Sequence, residues 1–294
     1  MNRGVLYAAS TYILWGLLPV YWKWLRLTPA SEVLCHRIIW SFITLLLVLL
    51  AAQQWNGLRR NVFSMRVLRA YAASGALIAV NWLTYIWAVG AGFILETSLG
   101  YFINPLLSVL LGVVILRERL RPGQWAAIAL AAAGVLYLSV AHGSLPWIAL
   151  TLAITFSLYG LIKKTAPLGS LQGLTVETAV LLLPAFAFLV YIGQTGQGAF
   201  LRTGALIDIL LIGTGFITVV PLLLFSSAAR RIDLSLLGIL QYIAPTIQFL
   251  LGVFAYHEPF TGDRLIGFCI VWSALIVYAA ESYLTRRSQT FPAA

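Results

Sequence analysis

The sequence predicts an all-α integral membrane protein, with ten transmembrane helices arranged as two inverted five-helix repeats. Three observations carry that expectation. The 294 residues are 61% hydrophobic and 10% charged, with a mean hydropathy of +0.93, which is far more apolar than a water-soluble domain. A pattern around Pro105 returns 140 positions later around Pro245. The basic residues gather in alternate loops, as they do in chains that cross a membrane repeatedly.

A helix needs about 20 apolar residues to cross the hydrocarbon layer. The apolar runs fit ten such spans, at roughly 4–24, 31–52, 70–91, 96–116, 123–141, 145–163, 173–193, 205–228, 235–256 and 263–283. The first carries Trp15, Gly16 and Pro19 without a small-residue cleavage pattern, so it is expected to be a retained helix and not a secretory signal. The second holds Glu32, His36 and Arg37, and the longest connection, about 53–69, follows it. The third brings Asn81, Trp82, Tyr85 and Trp87, and the fourth Glu96, Tyr101, Asn104 and Pro105. The fifth is apolar with Gly134 inside it, and the sixth ends at Lys163 and Lys164. Glu177 lies in the seventh, and the ninth holds Gln241, Tyr242, Pro245 and Gln248.

The repeat pairs Pro105, Gly112 and Glu118 with Pro245, Gly252 and Glu258. The same shift places Leu83 on Leu223, Ala88 on Ala228 and Ile103 on Ile243. It divides the chain into repeats at 1–143 and 144–294. Five spans per copy is an odd number, so the two copies must enter the membrane in opposite orientations.

The net charge of +10 is explained by orientation, with no call for a nucleic-acid partner. With the N-terminus in the cytoplasm, 14 of the 19 basic residues fall on that side: Arg3, Arg59, Arg60, Arg66, Arg69, Arg117, Arg119, Arg121, Lys163, Lys164, Arg230, Arg231, Arg286 and Arg287. Ten spans then return the C-terminus to the cytoplasm as well.

Charged and polar groups inside spans are costly and commonly face the bundle interior. With 1.5 Å of rise per residue, His36 and Arg37 fall roughly 8–9 Å inside the outer surface, and Glu96 at a similar level. Glu177 occupies the repeat position of Arg37 but enters from the inner side. Arg37 is therefore expected to pair with Glu96 in an outer layer, as a fixed ion pair or a gate, while Glu177 serves an inner layer. His36 fits either a hydrogen-bonded interior residue or a proton carrier, and Glu118 and Glu258 read as caps or loop charges. Pro105 and Pro245 each sit about ten residues into a span and are expected to kink it. Around those kinks, Trp15, Asn81, Tyr85, Tyr101, Asn104, Gln241 and Tyr242 offer aromatic faces and amides suited to a small amphipathic substrate. Several other tryptophans fit interfacial belts.

No phosphate loop, nucleophile elbow or metal-ligand spacing is present; His36, His142 and His257 lie at separate levels, and Cys35 and Cys269 fall in apolar spans. The expectation is a protein that is not an enzyme, with no cofactor and no metal. Its partners are the lipid bilayer and a small-molecule substrate, with a monomer as the working assumption.

Six stretches resemble one family: LWGLLPVYWK (14–23), EVLCHRIIWS (32–41), NWLTYIWAV (81–89), ETSLGYFINPL (96–106), SLYGLIKK (157–164) and LGILQYIAPT (237–246). Together they resemble the RarD-type branch of the EamA-like drug/metabolite transporter superfamily, over nearly the whole chain. The resemblance implies a ten-helix bundle of two inverted halves in a bacterial inner membrane, exporting or exchanging small organic solutes. The alternative is a membrane-embedded metabolite-binding or regulatory subunit that does not transport. A sensor of that kind usually brings a soluble output domain, for which the spans leave little room.

Overall fold

The computed structural model describes residues 2–91, 93–142, 147–255 and 262–290, and every regular element among them is a helix. In chain order these are α1 (Arg3–Trp24), α2 (Ala30–Ala51), α3 (Trp55–Asn61), α4 (Met65–Gly90), α5 (Ile94–Val114) and α6 (Pro122–His142). They continue with α7 (Trp147–Thr165), α8 (Ser170–Gln194), α9 (Ala205–Ala229), α10 (Leu234–Leu240), α11 (Ile243–Leu250) and α12 (Gly262–Thr290). A π-helical turn, Leu251–Ala255, extends α11.

Six helical stretches among the described residues are long and apolar enough to cross a membrane: α1, α2, α7, α8, α9 and the run from α10 through the π turn. A seventh is added if α3 and α4, bent by 104° at their junction, count as one span. Leu47, Leu183, Ile209 and Phe216 are all more than half exposed on these helices. Such an apolar exterior suits lipid and not water.

Helix spacing repeats along the chain. α2, α4 and α5 begin at residues 30, 65 and 94, and α8, α9 and α10 begin at 170, 205 and 234, each 140 later. Contacts between helices are paired in the same way: α1 packs on α9 as α7 packs on α4, α2 on α9 as α8 on α4, and α1 on α11 as α7 on α5. Three further contacts, α2 with α8, α5 with α10 and α6 with α12, join counterparts directly.

Two local features depart from the sequence expectation. The connection at 53–69 contains the short helix α3. The ninth apolar run is interrupted at Gln241–Tyr242, whereas α5 carries Pro105 without interruption. Pro245 lacks the N–H that would bond the Gln241 carbonyl four residues back, which weakens the helix there; since α5 stays continuous through Pro105, proline alone does not account for the break. The Ala244 N–H takes that carbonyl at 3.1 Å instead, in a tighter turn.

The start of α10 is capped from outside its own chain segment. Glu118 accepts hydrogen bonds from the Leu234 N–H (2.7 Å), the Ser235 N–H (2.9 Å) and the Ser235 hydroxyl (2.6 Å). A carboxylate there satisfies otherwise orphaned donors and opposes the positive end of the helix. Its repeat counterpart, Glu258, lies outside the described residues. Glu118→Ala is expected to cost about 2 kcal/mol, read as a lowered midpoint of thermal unfolding in detergent, with Glu118→Gln losing less.

Candidate functional site

Two polar centres lie in the bundle, and a narrow cleft runs between the helices that carry them. The cleft is bounded by α2 (Ile38, Ser41, Leu45), α4 (Ile78, Trp82), α8 (Leu174, Glu177, Thr178, Leu181) and α9 (Thr218, Val219, Leu222). Its walls are mostly apolar, and in this conformation it has room for about one water molecule.

The first centre surrounds Glu177, whose side chain is 2% exposed. One carboxylate oxygen pairs with the Lys163 ammonium and accepts from the Ser74 hydroxyl. The other accepts from the Tyr159 hydroxyl at 3.1 Å. The Lys163 ammonium, also 2% exposed, lies 5.0 Å from the Tyr159 ring centre and 5.5 Å from that of Tyr71. Three helices thus converge on one carboxylate: α4 through Ser74, α7 through Tyr159 and Lys163, and α8 through Glu177. Lys163 is reachable because Tyr159 and Lys163 stand four apart on one face of α7.

Arg37 forms the second centre. Its Nε donates to the Thr218 hydroxyl at 3.1 Å. Its guanidinium carbon sits 4.3 Å from the Trp82 ring centre and 5.0 Å from that of Trp22, within cation–π range of both. The Tyr85 and Tyr101 hydroxyls lie within its electrostatic reach, and their rings pack edge to face at 6.0 Å. Trp82 and Thr218 both line the cleft, so Arg37 stands directly behind its wall. The expected Arg37–Glu96 pair involves a side chain outside the described residues.

His36 lies apart from Arg37, in a packed corner. It accepts from the Trp40 indole N–H at 3.2 Å, and its Nε2 is 4.0 Å from Glu32. Glu32 in turn accepts from the backbone N–H groups of Ala199 and Phe200 at 2.9–3.0 Å, pinning the loop between α8 and α9.

The remaining candidate residues lie in tight packing in this conformation. Asn81 donates to the Leu152 carbonyl (2.9 Å) and the Thr155 hydroxyl (3.0 Å). Asn104 accepts from the Ser157 hydroxyl at 2.6 Å, so both amides reach α7. Trp15 belongs to an aromatic cluster with Tyr12, Phe156 and Phe225, with ring centres 5.5–5.7 Å away. Tyr242 donates to the Phe102 carbonyl at 3.1 Å. Gln241 is buried beside the break before α11.

Sequence reasoning did not single out Lys163, Ser74, Tyr159 or Thr218. Lys163 reads as one of two consecutive lysines at a span end, and hence as a cytoplasmic charge; Lys164 next to it does reach outward, to the Ile232 carbonyl. Only the four-residue spacing between Tyr159 and Lys163 signals that the first lysine points inward. Ser74 and Thr218 carry no signal in one sequence.

Known proteins place this architecture. Residues 2–140 match the model of the EamA-like transporter family. The RarD protein of Streptomyces exfoliatus is 44% identical, covering 97% of this chain and 91% of its own. The chain belongs to the EamA-like transporter family. It is also 44% identical to the uncharacterized transporter YojE of Bacillus subtilis, over 98% of this chain and 97% of that one. The Escherichia coli RarD protein is 41% identical over 97% of each chain. A crystal structure at 20% identity aligns with a TM-score of 0.67, covering 94% of this chain and 96% of the other, and speaks to the fold alone.

Proposed function

We propose that this protein is a secondary transporter of a bacterial inner membrane that exports or exchanges a small organic metabolite or amphipathic solute. The observation that carries this reading is the cleft between α2, α4, α8 and α9, in a chain whose full-length relatives include a transporter. It ends at a buried carboxylate–ammonium pair and is walled by residues that hold a buried guanidinium. Charges in a membrane interior are expensive, and their commonest use is to line a path for solutes or protons.

The 140-residue offset of three helix starts, and the paired contacts between helices, support ten spans in two inverted repeats, 1–143 and 144–294. The gathering of basic residues in alternate loops supports both termini cytoplasmic. Rocking one repeat against the other would open the cleft to each side in turn. Trp15, Asn81, Tyr85, Tyr101, Asn104, Gln241 and Tyr242 would then meet the solute as the helices part. Arg37, with His36 and Glu96, would control the outer side, and Glu177 the inner.

Counterflow of a panel of amino acids, amines, carboxylates and amphenicols in proteoliposomes tests the proposal, with and without a pH gradient. Accumulation of at least one solute above protein-free vesicles is the expected result. Failure of every solute to move would overturn it.

A further inference from the structure

We propose that Glu177 is the binding site for an ammonium group on the cargo, and that Lys163 occupies it as a tethered stand-in until the cargo arrives. The proposal rests on the transport reading and goes beyond it by naming the chemical class carried: small organic amines with an apolar body.

The argument starts from the cost of a buried charge. A carboxylate at the wall of an apolar cleft stays charged only at a high cost without a cation, because breaking a buried pair from one side is strongly unfavourable. A cargo that brings its own ammonium through the cleft removes that obstacle, since one cation replaces another and the carboxylate is never bare. The Ser74 and Tyr159 hydroxyls donate to Glu177 independently of Lys163, so they hold the carboxylate in place during the exchange.

Lys163 is built to leave. Its charge sits on a flexible four-carbon stem, two residues before the end of α7 at Thr165. Lys164 already reaches the turn after α9 from this helix end. Lys163 and Arg37 each lie against two aromatic rings. The Arg37 guanidinium, however, is planar and bonded to Thr218 on α9, whereas the Lys163 ammonium is a point charge on a flexible stem near a helix end. The groups that face Glu177 are Ser74 from α4, Tyr159 and Lys163 from α7, and Ser41 from α2 across the cleft; Arg230 lies beyond Tyr71, held by the Ala166 and Leu168 carbonyls. Among these described groups, Lys163 alone both neutralises Glu177 and can withdraw. Leu174, Leu181 and Val219 supply the apolar wall for the rest of the amine, and Trp82 an aromatic face.

The test uses the wild-type protein in proteoliposomes and N,N-dimethylphenethylamine, a cation that does not react with imidoesters. Modification of Lys163 by methyl acetimidate, read by mass spectrometry, is expected to rise about threefold or more when the amine saturates, because the bound-state population frees the lysine. The matched anion 3-phenylpropionate should leave it unchanged. Thermal unfolding supplies a second readout: the amine should stabilise Lys163→Met more than wild type, and Glu177→Gln not at all. If Lys163→Met does not fold, the labelling of wild type decides. Unchanged or reduced labelling with the amine, or an equal rise with the anion, overturns the proposal. Counterflow of other solutes with no amine effect would defeat this site while leaving transport standing. Amine-dependent labelling with no solute moving would do the reverse.

Discussion

Exchanging Lys163 for methionine is expected to destabilise the protein by about 3–5 kcal/mol, the usual range for stranding one member of a buried ion pair. The carboxylate of Glu177 would keep its two hydroxyl donors but lose its only opposite charge among the described residues. Glu177→Gln should cost less, because the freed ammonium can follow its stem out to the level of Lys164 near the end of α7. The double variant should recover most of the loss, since neither partner is then buried alone. A double-mutant cycle on the midpoint of unfolding in detergent measures this coupling. Additive losses in the double variant would mean that the two groups do not depend on each other.

Gly215→Ala is expected to be nearly as damaging, at about 3 kcal/mol, through overpacking. A Cβ there would come within 2.6 Å of the Trp40 carbonyl oxygen, and backbone cannot rotate away as a side-chain tip can. α2 and α9 would have to separate at the point where the Ser41 hydroxyl donates to the Gly215 carbonyl and Arg37 reaches Thr218, one turn along. Gly160→Ala is the control. Its nearest neighbour would be the tip of Phe225 at 3.5 Å, an ordinary contact, so a change under about 1 kcal/mol is expected. Equal stability of the two variants would show that α2 and α9 tolerate a wider spacing.

Much of the helical layout was readable from apolar run lengths. The runs at 31–52 and 205–228 end within a residue of α2 and α9, because a span of bilayer thickness leaves little choice of boundary. The break before α11 was harder to place, since Pro245 marks a disturbed helix while the freed carbonyl lies four residues earlier. At the site, the sequence drew attention to Arg37 and Glu177 because charge inside a span is conspicuous. Their partners were hidden for a different reason. Thr218 and Ser74 are ordinary polar residues, 181 and 103 positions away from what they bind, and only tertiary packing brings them in. Lys163 was visible but misplaced, because span ends are uncertain by about a turn and a turn decides whether a lysine faces water or a carboxylate.

The hydrogen bond from Tyr242 to the Phe102 carbonyl joins two positions that are 140 residues apart, the repeat interval itself. If the proposed repeats are related by an axis, a contact between counterparts would lie on it, and here it can be made in only one sense because phenylalanine has no hydroxyl to return. If the halves exchange conformations during transport, the exchanged state cannot form the mirror bond from position 102 to position 242. At about 1 kcal/mol for a buried hydrogen bond, this single asymmetry would then favour one facing over the other by roughly fivefold. The resting orientation would then be set by the chain itself, before any solute or gradient acts on it.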